Sequence, residues 1–90
     1  MEALRKIQNK ISFIPKQQFN REIPEQIMIV KHLKNDDRVL ELGGSIGRAS
    51  CIINYILDKK HEHVVVEPNI FEANKLRVNR DRNGFLYKIE

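Results

Sequence analysis

Val39-Leu40-Glu41-Leu42-Gly43-Gly44-Ser45-Ile46-Gly47 is the stretch that decides the fold of this 90-residue chain. Its first part is rich in Val and Leu and reads as a short strand over residues 38–42. Its second part places three glycines in five positions. Glycine admits positive φ and lets another group approach the backbone closely. A helix over residues 48–59 follows, with Ala49, Ile52, Ile53, Ile56 and Leu57 on one face and Arg48, Ser50, Asn54 and Asp58 on the other. A strand that passes through a glycine turn into a helix gathers unpaired amides and the positive end of the helix dipole at one point. That junction is a cradle for a nucleotide or a carboxylate.

Toward the C-terminus, His63-Val-Val-Val-Glu67 reads as a second strand. An unbroken valine run is what a parallel strand covered on both faces requires. Pro68 ends it. Asn69 is a candidate N-cap for a helix over residues 69–82, and Asn83-Gly84 is its stop signal. Residues 85–90 begin a third strand. Toward the N-terminus, Ile23-Pro24 opens a helix with Glu25 in its first turn. Ile27, Val30, Lys31 and Lys34 share one face of it, broadened by Met28 and Leu33. It should end near Asn35, before the polar turn Asn35-Asp36-Asp37.

Strands alternating with helices imply parallel pairing. The expected fold is therefore α/β, a Rossmann-like parallel three-stranded sheet in the order 3-2-1 with helices covering its faces. Residues 23–90 form this partial domain, and residues 1–22 form an accessory arm that packs on it or on a partner. In the arm, Leu4, Ile7 and Ile11 suit a short helix, while residues 11–15 suit an extended piece equally well. A fourth strand beside the first is missing, which leaves an open edge that invites self-association. A fragment or a truncated product is expected ahead of a small protein whose partner completes the sheet.

Composition sets wider bounds. The single cysteine cannot form an internal disulfide, so a reducing compartment is expected. The N-terminal stretch is charged throughout and carries no signal-peptide core. No apolar run approaches the ~20 residues of a membrane span. A cytoplasmic location with no membrane partner follows. The net charge of +4 permits contact with nucleic acid, but a solvated basic surface is the plainer reading. The same holds for Lys75, Arg77, Arg80 and Arg82, so no nucleic-acid role is expected.

Glu67 stands at the carboxyl end of the second strand, 20 residues after Gly47. An acid at that distance commonly accepts hydrogen bonds from ribose hydroxyls. The dinucleotide pattern G-x-G-x-x-G fails, because aligning Gly44 and Gly47 with its last two glycines puts Leu42 at the first. A P-loop fails because no Gly-Lys-Ser/Thr follows. What remains is Glu41, Gly43, Ser45 and Gly47, an acid and small residues spaced by twos. His61, Glu62 and His63 alternate faces as they enter a strand and do not converge as zinc ligands must, so no metal is expected. Cys51 has no evident base and reads as a packing residue.

These residues resemble motif I of class I methyltransferases, an acid-x-Gly-x-Gly-x-Gly pattern, with Ser45 where many carry glycine. Residues 39–47, Val65-Val-Glu-Pro68, Leu76 and Asn79 together resemble the FkbM-type family over residues 36–90. The resemblance implies an incomplete doubly wound methyltransferase fold and S-adenosylmethionine as cofactor. It implies that Gly43, Gly44 and Gly47, with Ser45 between them, line the amino-acid part of that molecule. It implies that Glu41 positions the methionyl ammonium, that Glu67 holds the ribose hydroxyls and that Asn69 lies near the adenine. The implied reaction is O-methyl transfer to a small-molecule or sugar hydroxyl. No catalytic base is assigned, since acceptor contacts in such folds come from later strands. Two alternatives stay open: a non-catalytic remnant or binding module using the basic surface or the open edge, and a nicotinamide-dinucleotide domain.

Overall fold

The computed structural model describes all 90 residues. In chain order the elements are helix α1 (Glu2–Gln8), a 3-10 turn (Lys16–Asn20), α2 (Ile23–His32), β1 (Val39–Leu42), α3 (Arg48–Ile56), β2 (His63–Val66), α4 (Ile70–Arg82) and β3 (Lys88–Ile89). The sheet is parallel, with β2 between β1 and β3. Val39 pairs with His63 and Leu42 with Val66 on one side of β2, and Val65 pairs with Ile89 on the other. This is the expected α/β architecture and strand order.

α2 and α3 end earlier than their apolar periodicity suggests, whereas α4 ends at Arg82 as expected. α2 stops at His32, where Leu33 turns extended and the Asp37 carboxylate accepts from the Lys34 amide. α3 stops at Ile56 and is closed by a side chain. Lys60 Nζ donates to the carbonyl oxygens of Asn54, Tyr55 and Leu57 at 2.6, 3.1 and 3.1 Å. A cation there satisfies orphaned carbonyls and complements the dipole.

The sheet corrects one expectation. Helices do not cover both faces. Two right-handed crossovers that step in the same direction, β1-α3-β2 and β2-α4-β3, set both helices on one face. On that face His63, Val65, Phe85 and Tyr87 are buried. On the other, Leu40 and Leu42 are 67% and 75% exposed, and Val64 and Val66 are only half-buried. The valine run of β2 is thus fully covered on one face only, and the outward-facing leucines of β1 are bare.

The N-terminal arm closes the core. Leu4, Ile11, Phe13 and Phe19 belong to one buried cluster with Ile46, Cys51, Ile52, Val65, Leu76, Phe85 and Tyr87. Buried amides fasten it. Asn79 accepts from the Ile14 amide and donates to the carbonyls of Ile14 and Ile46 at 3.0 and 2.9 Å. Gln26 donates to the carbonyls of Phe19 and Arg21 and accepts from Gln8. Gln26 is fully buried, so the inner line of α2 is centred on a polar residue rather than on Ile27 and Val30. No helix is long and apolar enough to cross a membrane.

The tightest packing constraint lies where the glycine turn meets β2. A Cβ at Gly44 would sit 2.2 Å from Val65 Cγ1 and 3.1 Å from Leu76 Cδ2. Val65 is fully buried and β-branched, so it has no alternative rotamer to retreat to. Gly44→Ala should therefore cost about 1–3 kcal/mol, the range of overpacked cores. In urea denaturation the double variant Gly44→Ala/Val65→Ala should lose less stability than the two single variants summed, because removing the Val65 methyls relieves the clash.

Candidate functional site

The glycine turn is built from alternating left-handed residues. Gly43, Ser45 and Gly47 have φ of 80°, 53° and 106°. Gly47 combines that φ with crowding, since a Cβ there would lie 3.1 Å from Leu76 Cδ1. Ser45 tolerates the left-handed region through a specific partner: its amide donates to Glu67 Oε1 at 2.7 Å. Glu67 Oε2 accepts from the Asn69 amide at 3.0 Å. The carboxylate at the end of β2 therefore clamps the turn at the end of β1. Each oxygen accepts one N–H and keeps a second acceptor direction.

Around the clamp there is room and unspent hydrogen-bonding capacity. A Cβ added at Gly43 meets nothing within 4 Å. The Gly44 and Ile46 amides donate to no group in the chain, whereas those of Gly43, Ser45 and Gly47 are taken. No side chain caps the N-terminus of α3, and no acid stands in its first turn. α4 is capped, with Asn69 Oδ1 accepting from the Phe71 and Glu72 amides at 3.0 and 3.1 Å. Gly43, Ser45, Glu67 and Asn69 thus come together at one rim. Gly44 lies beneath it, with its side-chain direction filled by β2 and α4.

Glu41 sits elsewhere, below the turn and under α3. Its Oε1 accepts from Ser50 Oγ at 2.7 Å and lies 3.1 Å from His63 Nε2. The neighbouring Asn54 fixes the proton on His63. Asn54 Oδ1 accepts from the Leu86 amide, and Nδ2 donates to the Lys60 carbonyl, so its orientation is set. The second Nδ2 hydrogen then faces His63 Nδ1 at 3.2 Å. Nδ1 accepts, and Nε2–H donates to Glu41. Ser50, Glu41, His63 and Asn54 form one chain of hydrogen bonds joining α3, β1 and β2. Glu41 Oε2 makes no bond within the chain.

The sequence gives no signal for Glu72. Its Oε2 is the one buried side-chain polar atom without a partner. Glu72 precedes Leu76 and Asn79 on the same face of α4, and those two residues meet Gly44, Gly47 and Ile46. A lone buried carboxylate oxygen in such a place is an acceptor awaiting a donor. Only the tertiary packing reveals it, because an acid in the first turn of a helix reads as an ordinary dipole partner.

Cys51 and Tyr87 are not nucleophile and base. Burial pushes the Cys51 thiol from 9.0 up to about 12, against a small lowering by its contact with Tyr87. Burial also raises the Tyr87 hydroxyl, which donates to the Leu76 carbonyl at 2.9 Å. Both keep their protons at neutral pH.

No protein-family model matches the chain, and no curated protein does. Solved structures do. A crystal structure of a proposed O-methyltransferase from Klebsiella pneumoniae superposes with a TM-score of 0.66 at 14% identity, over 97% of this chain and 41% of that one. A crystal structure of a proposed caffeoyl-CoA O-methyltransferase from Staphylococcus aureus gives 0.55 at 22% identity, over 99% of this chain and 42% of that one. The chain shares the Rossmann-like α/β fold of these two structures and spans about two fifths of their length.

The buried thiol and phenol have a measurable consequence. A pKa raised by folding stabilises the protein below the unfolded value, and that stability is lost as pH rises through the folded one. Urea midpoints should therefore stay level up to pH 9 and then fall as pH climbs toward 12, the span set by Cys51. Native Cys51 should also resist a thiol reagent at pH 8 and react fully in denaturant.

Proposed function

We propose that this chain is the S-adenosylmethionine-binding part of a class I methyltransferase of the FkbM type, acting on a hydroxyl of a small molecule or sugar. The observation that carries the proposal is the Glu67 clamp, a carboxylate with spare acceptor capacity held over an open glycine turn. The O-methyltransferase fold of the two solved structures agrees with it.

The residues present fit such a cofactor. The free amides of Gly44 and Ile46 and the uncapped head of α3 suit a carboxylate. The unpartnered Glu72 oxygen suits an ammonium. Glu67 retains two acceptor directions for the ribose hydroxyls, and Asn69, whose amide donates to Glu67, is the candidate neighbour of the base. The bound cofactor supplies a methyl group already activated by its sulfonium. This chain binds and orients the donor, and proximity is the main lever for such a displacement. A hydroxyl acceptor must also shed a proton. Cys51 and Tyr87 hold theirs, and His63 is fully buried, so none of the three is proposed as the base.

A second reading, a non-catalytic binding module, draws on the bare sheet face of Leu40 and Leu42. Calorimetric titration separates the two. S-adenosylhomocysteine should bind in the micromolar range and NAD should not. Glu67→Ala should abolish binding. Glu67→Gln, which still accepts from Ser45 but offers fewer acceptor sites, should weaken it about tenfold or more. Absence of heat with S-adenosylhomocysteine at millimolar concentration would overturn the proposal in favour of the second reading.

A further inference from the structure

The whole net charge of the chain lies in its first 21 residues. They hold five Lys and Arg against one Glu, while residues 22–90 hold eleven Lys and Arg against eleven Asp and Glu. A cavity of about 630 Å3 opens within this same segment, against the end of α4. Its volume falls in the range of small-molecule sites, roughly 300–1,000 Å3. Lys10, Lys16 and Arg82 line it together with the Phe13 and Phe19 rings, and no Asp or Glu does. None of the three cations is in a salt bridge. Arg82 is held in place by a bond from Nη2 to Ser12 Oγ at 2.6 Å, which leaves its other N–H groups free. The two rings are stacked with centroids 4.4 Å apart and form a rigid apolar floor.

We propose that this cavity is a separate binding site for a small phosphate-bearing molecule. Three unpaired cations around one recess match a multivalent anion, and a phosphate offers several strong acceptor oxygens to them. A carboxylate-free lining leaves nothing to repel it. The recessed, half-open shape and the aromatic floor suit a compact ligand with an organic body rather than a polymer backbone. The site lies apart from the Glu67 clamp. Asn69 caps the head of α4 and Arg82 is its last residue, so the two are separated by a helix of 13 residues, about 20 Å. The proposal stands independently of the methyltransferase reading.

Calorimetric titration of the full chain with inorganic pyrophosphate at low salt tests it. Saturable one-to-one binding is expected, weakening as salt rises. The double variant Lys10→Gln/Lys16→Gln should bind about tenfold or more weakly, since it loses two charged donors. Both lysine side chains are exposed and unbonded, so its circular dichroism should be unchanged. Lys31→Gln/Lys34→Gln removes the same charge outside the cavity and should bind as the parent does. No saturable heat would overturn the proposal, as would equal weakening in the two double variants. Tighter binding of a single-stranded RNA oligonucleotide than of pyrophosphate would also overturn it, in favour of a nucleic-acid surface.

Discussion

The structure turns on a missing side chain. Gly44 lets the backbone leaving β1 lie directly on Val65 of β2 and Leu76 of α4. Only at that depth does the Ser45 amide reach Glu67 and the Ile46 side chain enter the core. The Ile46 carbonyl then meets Asn79, and through Asn79 the turn is joined to the arm. Any residue with a Cβ at position 44 would lift the turn and loosen all of these contacts together. The glycine is required by packing first. The ligand geometry at the rim is a consequence of it.

Around this point the core is held by polar groups as much as by apolar ones. Gln26, Asn54, Asn79, His63 and Ser50 are fully buried, and each has hydrogen-bond partners. An unsatisfied buried amide costs more than a satisfied one contributes, so such groups discriminate strongly against alternative packings. Here they sit at the joints between elements. Asn54 links α3 to β2 and to the approach of β3, and Gln26 links α2 to the arm. The small domain draws specificity from these joints that its limited apolar core could not supply alone.

Much of this was legible in the sequence. The glycine turn, the valine strand and the Asn69 cap each rest on a local requirement that only a few residue types meet. Glu67 was legible because its distance from the turn follows from one crossover helix. Other features are invisible to periodicity. A run of valines reads the same whether one face or both are covered, so the bare side of β1 could not be foreseen. Gln26 is polar, so a hydrophobic pattern passes over the centre of the α2 interface. Glu72 looks like any acid at the head of a helix. The contacts that close the arm join residues 65 to 71 positions apart, beyond the reach of local pattern.

Those arm contacts share a property. Asn79 reads the amide and carbonyl of Ile14, and Asn83 those of Ser12. Gln26 reads the carbonyls of Phe19 and Arg21, and Arg48 that of Gln18. These bonds address the main chain, which every residue type supplies, while Gln8, Ser12 and Gln18 are met through their side chains as well. The domain therefore fixes the path of the arm largely through its main chain and reads its composition at the buried Leu4, Ile11, Phe13 and Phe19. Outward-facing positions such as Lys10 and Lys16 are left free to drift, so related proteins could keep this architecture while exchanging what the recess accepts.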